Sequence, residues 1–333
     1  MFESNARQSI GPSDVAARVA AELSAASITT RVTVTPLTPS AAAVSSTVTL
    51  SPPYGMAAQT LAFPGGAFGL AGLDAERLPT VTIRGQRFHA LTEAEVIEHI
   101  LRELSAGRGG WVITPNVDHL RRLCTDASLR ALYQRADLIV ADGMPLIWAS
   151  RLLGTPLPQR VAGSSLLSSL SEAAAARHRS IFLLGGDEGT AEASAKLLKE
   201  RYPNLEISGV CCPRTGFEKD AVALDSLTQD LLKARPDIVY VALGSPKQEW
   251  LIDMLRQKLP RAWWLGIGIS FSLLSGRLRR APRWMQHVGL EWLHRLFQEP
   301  KRLARRYLMH GLPFALGLLA SAPFERRPAP EAW

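Results

Sequence analysis

Cysteine is scarce: Cys124, Cys211 and Cys212 are the three in 333 residues, with neither the even count nor the spacing of a disulfide framework or a zinc site. A reducing compartment, with the thiols as small core residues, is the expectation. No apolar run reaches the about 18 to 20 residues that span a bilayer. The nearest, residues 311–323, is shorter and is interrupted by Pro313 and by glycines. The chain can lie on a membrane but not span one. The opening MFESNARQSIG has no basic stretch followed by an apolar run, so nothing in it directs export and a cytoplasmic location is expected. Zinc-finger spacing and an aromatic RNA-binding signature are also missing, so nucleic acid is not an expected partner.

Hydrophobic residues make up 47% and charged residues 20% of the chain, enough to bury one sizeable α/β core. The charge is unevenly placed. From Gly276 onward there are eleven Arg and Lys against four Glu, which is seven of the formal +8. These cations alternate with Trp284, Trp292, Leu296, Phe297, Leu303 and other large apolar residues. Such a pattern suits an anionic lipid surface, or a phosphate ligand at one. The tail from about Gly289 reads as one or two amphipathic helices, broken near Pro300 and ended near Gly311.

Residues 1–78 are rich in Ala, Ser, Thr, Pro and Gly and read as a flexible extension, with a short helix over 14–25 and an extended piece over 30–35. From Thr80 the pattern changes. Short runs that are apolar throughout (WVITPN, DLIVADG, SIFLLGG, LEISGVCC, DIVYVALG, AWWLGIGI) mostly alternate with helical stretches. That alternation indicates a parallel sheet with helices on both faces. In such a sheet the ligand crevice lies at the carboxyl ends of the strands. The division expected is an extension over 1–78, a core over 79–285 and a basic amphipathic appendage over 286–333.

The strand ends carry TPNVDHL (114–120), ADGMPLIWASRLLGTPLPQRVAG (141–163), FLLGG (182–186) and RPDIVYVALGSPKQEW (235–250), with RAPRWMQHVGLEWLHRLFQEPKRLARRY (280–307) after them. In this order, from about Trp111 to Tyr307, they resemble the WecG/TagA/CpsF glycosyltransferases, bacterial enzymes that extend a polyprenyl-diphosphate-linked sugar during surface-polysaccharide assembly. The resemblance implies a Rossmann-like core and a UDP-sugar donor. It also implies inverting transfer without metal or other cofactor, and a basic appendage that docks on the membrane and completes the site. N-acetylmannosamine, its uronic acid and glucose are the sugars it offers. A homo-oligomer stays open.

Inverting transfer needs a carboxylate to take the proton of the acceptor hydroxyl. Asp142, between a buried strand and Gly143, is the candidate base and matches the family's; capping the next helix is its ordinary alternative. Asp118, in a first helical turn, ranks second. Thr114 and Asn116 suit sugar hydroxyls or a uracil edge, and equally suit helix capping; the resemblance implies active-site contact for both. Gly185 and Gly186 open a strand-to-helix loop of the kind that cradles a diphosphate, a weak signal alone. Lys247 can neutralise phosphate, Gln248 can bond nucleotide or sugar, and Glu249 reads as a first-turn acid.

No Asp-x-Asp pair is present to hold an ion across the diphosphate, so arginines and helix ends must offset the leaving charge. Arg160 matches a family active-site arginine. Arg279, Arg280, Arg283, Arg295, Arg302, Arg305 and Arg306 are the lipid-diphosphate or membrane candidates, although for any one of them a solvated or lipid-facing charge is favoured over direct catalysis. Where the family has glycine-glycine-x-phenylalanine-aspartate after the last strand, this chain has Gly268-Ile269-Ser270-Phe271-Ser272, which loses a carboxylate. Two rivals remain: a nucleotide-dependent oxidoreductase, suggested by FLLGGDEG but lacking the full glycine fingerprint, and a non-catalytic membrane-docking protein.

Overall fold

The computed structural model describes residues 47–50, 59–62 and 78–325. The helix expected over 14–25 and the extended piece over 30–35 lie outside these residues. Within the expected extension, β1 (Thr47–Leu50) and β2 (Gln59–Ala62) pair antiparallel. This hairpin belongs to a unit of its own, residues 1–76, and the rest of the chain forms a second unit.

The second unit begins with an antiparallel hairpin, β3 (Thr80–Ile83) and β4 (Gln86–His89). Six strands follow: β5 (Gly110–Ile113), β6 (Leu138–Ile139), β7 (Ser180–Gly185), β8 (Glu206–Cys211), β9 (Ile238–Ala242) and β10 (Trp263–Gly266). They form one all-parallel sheet in the order β6-β5-β10-β9-β7-β8.

The continuous apolar runs have their expected cause, because successive residues feed two different cores. Trp111, Ile113, Phe182, Val239, Val241 and Trp264 pack in one cluster. Their chain neighbours Val112, Ile181, Tyr240, Trp263 and Leu265 pack in the other. Aspartates at the strand starts pin the register. Asp137 accepts from the Trp111 amide and Asp237 from the Ser180 amide, both at 2.8 Å. At the sheet edge the Ile139 amide donates to His89 Nδ1 at 2.9 Å, and burial holds that imidazole down at about 4, neutral and able to accept.

Two sequence expectations need correction. Cys124 is exposed near the end of an outer helix and Cys212 lies just beyond the edge strand β8, so neither is a core residue; Cys211, partly buried at the end of β8, does pack against a core cluster. The tail helix does not stop at Gly311. It runs through Pro300–Ala304, a seven-residue π-helical stretch Arg305–Gly311, and Leu312–Ser321. Pro313 lacks the amide an α-helix needs, and the widened turn before it accommodates that gap.

The tail also packs on the core. Leu318 and Ala322 join the cluster containing Trp111 and Trp264, and Leu303 is fully buried. Ion pairs bind it further: Arg306 to Asp118 at 2.8 Å, Glu291 to Arg160 at 2.7 Å and Glu325 to Arg84 at 2.9 Å.

Candidate active site

Sheet order sets the order of the strand-end motifs across the crevice. Asp142 follows β6, Thr114–Asn116 follow β5, Gly266–Gly268 close β10, Gly244–Gln248 follow β9, and Gly185–Gly186 end β7. Asp142 and the Gly185–Gly186 turn are thus four strand intervals apart, roughly 19 Å at ordinary strand spacing.

Around Asp142 the chain comes together tightly. The Asp142 amide donates to Pro115 O at 3.0 Å, and the Val161 amide donates to Ala141 O at 2.9 Å, so residues 160–162 run beside 140–142. Arg160 is delivered to the base candidate in this way, its Nη1 3.8 Å from Asp142 Oδ1. The two side chains are 17% and 28% exposed. Burial pushes the Asp142 carboxyl up to about 6; Arg160 pulls against that, and Glu291 adds to it. The helix after it, Met144–Leu152, has Gly143 before its first residue and no side-chain cap, so the capping alternative for Asp142 is not what the structure uses.

Asn116 does cap. Its Oδ1 accepts from the Asp118 and His119 amides at 3.0 and 3.2 Å, while His119 Nδ1 accepts from the Asn116 amide at 3.1 Å. Burial, with Arg306 and Arg122 nearby, holds the His119 imidazole down at about 4. Thr114 lies where the helix Gly163–Ala176 begins; a Cβ on Gly163 would fall 3.3 Å from Thr114 Oγ1 and 3.4 Å from Ile267 Cα, so glycine allows that helix to start against the ends of β5 and β10. Asp118 is buried and held by Arg121 at 3.2 Å and by Arg306, which commits it to anchoring the tail.

On the β9 side, Gln248 is 5% exposed. Its Oε1 accepts from the Gly268 amide at 3.1 Å and its Nε2 donates to Glu249 Oε1 at 3.0 Å. Glu249 is therefore more than a first-turn acid: it is buried, and desolvation pushes its carboxyl up. Lys247 pairs with Glu218 at 2.8 Å. Gly185 and Gly186 both have positive φ, and a Cβ on Gly186 would meet Thr190 Oγ1 and Phe271. At the position where the family pattern carries a carboxylate, the Ser272 hydroxyl donates to Asp187 at 3.0 Å, so a carboxylate is present from the neighbouring loop.

The tail arginines divide. Arg306 is engaged with Asp118, Arg302 and Arg295 face Glu299 at 3.2 and 4.0 Å, and Arg280 donates to Ser165 at 3.0 Å. Arg279 exchanges backbone hydrogen bonds with the Gln298 amide at 2.9 and 2.8 Å. Arg305 has no ion-pair partner among the described residues and is exposed. Arg283 opens a short helix, Arg283–His287. Among the described residues no group of three or more His, Cys, Asp or Glu is arranged to hold a metal ion.

Residues 81–328 match the model of the glycosyl transferase WecG/TagA/CpsF family. The chain belongs to that family. Similar proteins include the N-acetylglucosaminyldiphosphoundecaprenol N-acetyl-beta-D-mannosaminyltransferase of Bacillus spizizenii, 31% identical over 202 residues that cover 61% of this chain and 76% of that protein. The protein of the same name from Bacillus subtilis is 34% identical over 170 residues, covering 51% of this chain and 64%, just under two thirds, of the relative. This chain is thus a glycosyltransferase of the group that builds surface polysaccharides on lipid-diphosphate carriers.

One partner of the site was not legible in the sequence. Glu291 stands 131 residues from Arg160, inside the basic tail, and no local spacing connects the two.

Proposed function

We propose that this enzyme transfers an N-acetylhexosamine, N-acetylmannosamine by analogy with its relatives, from a UDP-sugar to a polyprenyl-diphosphate-linked N-acetylglucosamine. The transfer inverts the anomeric centre by direct displacement, needs no metal, and uses Asp142 as the base. One observation carries the reading: a strand-end carboxylate raised to about 6 beside an arginine. A carboxylate with that affinity for protons is largely ionised at neutral pH yet basic enough to accept the acceptor's proton as the bond to the anomeric carbon forms. The proton goes to Asp142 and the bonding electrons of the old linkage leave with the nucleotide. Arg160 is the residue assigned to stabilising charge on the diphosphate.

A peripheral position on an anionic membrane belongs to the same proposal. Among the described residues no helix is long and apolar enough to cross a membrane. The tail nevertheless exposes Trp284, Phe297, Met309, Leu312 and Leu316, and its Arg302 and Arg305 are exposed as well. Apolar side chains flanked by cations suit an interfacial helix.

The test is turnover with a panel of UDP-sugars and a short-chain prenyl-diphosphate-N-acetylglucosamine acceptor. Product with inverted configuration from UDP-N-acetylmannosamine supports the reading. Exclusive use of UDP-glucose would overturn the sugar assignment, and retained configuration would overturn the displacement mechanism.

A further inference from the structure

We propose that Glu291 is a positioning residue for this reaction: brought in by the tail, it holds Arg160 away from Asp142 and leaves the Asp142 carboxylate free to act as the base. The proposal rests on Asp142 being that base.

The geometry is asymmetric. Arg160 Nη1 is 2.7 Å from Glu291 Oε2 but 3.8 Å from Asp142 Oδ1. The first distance is a charge-assisted hydrogen bond and the second lies outside hydrogen-bond range. All three side chains are largely enclosed, at 17%, 20% and 28% exposure. A guanidinium offers a planar fork that fits one carboxylate with two parallel hydrogen bonds. Without Glu291, Asp142 is the carboxylate left within reach. A base held in that way is both blocked and weakened, since an adjacent cation lowers a carboxyl by about one to three units.

Other charges facing Asp142 do not substitute for Glu291. Arg280 and Arg295, also on the tail, pull its carboxyl down as Arg160 does. On the neighbouring helix Val117–Thr125, Asp118 is taken up by Arg121 and Arg306, and His119 is neutral. Glu291 is the one group named here that pushes Asp142 upward besides its burial.

The chain is built to bring Glu291 to this place. Gly289 has φ +72°, and a Cβ there would lie 2.8 Å from Trp148 Cη2 and 2.9 Å from Met144 Cβ. Only glycine lets the tail approach the helix that follows Asp142 so closely. Two residues later Glu291 opens the helix Glu291–Gln298. Tail docking and readiness of the base are thereby coupled: a tail that lifts takes Glu291 with it and returns Arg160 to Asp142.

The experiment is a pH profile of kcat/KM on a short-chain acceptor in detergent, without vesicles, for the wild type, Glu291→Gln, Arg84→Gln and Asp142→Asn. Arg84→Gln removes contacts with Glu325 and Ser321 at the far end of the tail, thirty or more residues beyond Glu291, and leaves Glu291 on Arg160. In Glu291→Gln the acid limb should move down by about one pH unit, because the lost negative charge and the nearer guanidinium act in the same direction. The plateau should fall by well under the about hundredfold expected from losing the base. Arg84→Gln should keep the wild-type limb. A limb unmoved in Glu291→Gln, with a plateau loss matching that of Arg84→Gln, would make Glu291 a mere latch and overturn the proposal. Should Glu291→Gln melt below the assay temperature, Glu291→Asp replaces it. Retracting the carboxylate by one methylene should then give a smaller downward displacement, and an unmoved limb is again fatal. Full activity in Asp142→Asn would instead overturn the base assignment, whatever Glu291→Gln does.

Discussion

Cutting the chain before Gly289 should destabilise the core rather than detach an independent appendage. Leu303 and Leu318 are 0% and 3% exposed, and Leu318 packs in the cluster that holds Trp111, Leu146 and Trp264. Burying a leucine is worth about 1.5–3 kcal/mol, so these two account for about 3–6 kcal/mol. The whole stability of a domain is about 5–15 kcal/mol. The cut also removes Arg306 from buried Asp118, leaving it Arg121 at 3.2 Å. A milder form of the experiment is Leu318→Ala, which should cost about 3 kcal/mol. For a unit of this size that lowers Tm by about 6–12 °C. Thermal melts of full-length, Leu318→Ala and truncated protein, with dye binding to report exposed apolar surface, measure the effect. A truncated protein that melts cooperatively at the full-length temperature, or an unmoved Tm in Leu318→Ala, would refute the reasoning. The tail would then unfold by itself, and its burial would contribute nothing to the core.

Asp142→Asn should reduce transfer at least about a hundredfold while the melt is unchanged, since an amide cannot accept the acceptor's proton. The base works deprotonated and its carboxyl is raised to about 6, so wild-type kcat/KM should climb as pH passes upward through about 6. A limb near the ordinary aspartate value would count against Asp142. Chelator should leave turnover unchanged, as the chain has no Asp-x-Asp pair; activity lost to chelation and restored by magnesium or manganese would contradict the mechanism. Replacing exposed Arg302 and Arg305 by Glu should weaken sedimentation with anionic vesicles about tenfold or more, since each basic residue contributes up to about 1 kcal/mol there. Equal sedimentation at low and high salt would argue against electrostatic docking.

Much of the sheet is readable from the chain because a strand buried on both faces must be apolar along its length, as Ile238–Ala242 and residues 181–184 are. Their lateral order is not readable, since an apolar run does not specify its neighbour: β10 lies between β5 and β9 although it comes last. Asp142 could be picked out because a polar residue directly after such a run is carried to the crevice. Short-range pairs were also within reach, such as Asp118 with Arg121 three residues on. Pairs across the fold were not. Arg306 with Asp118 spans 188 positions and Arg160 with Glu291 spans 131. Composition identified the tail as basic without separating the arginine that is anchored from the one left in solvent.

The tail helix defeated periodicity for a more specific reason. Ala315, Leu318 and Ala322 are buried, while Leu312 and Leu316 are exposed, so apolar residues occupy both sides of one helix. A helix apolar all round shows no amphipathic stripe, and such helices ordinarily lie in a large core or cross a membrane. This one is too short to cross, and only its inner side has a protein surface against it in the described residues. The inner side explains why loss of the tail should reach the core. The outer side explains why charge-reversal of Arg302 and Arg305 should affect vesicle binding far more than the melt: both are exposed, Arg305 has no ion-pair partner among the described residues, and Arg302 gives up only its contact with the neighbouring Glu299. Separate responses of melt and sedimentation to inner and outer substitutions are therefore the expected signature of one helix with two apolar faces. A single shared response would mean that the two faces do not act independently.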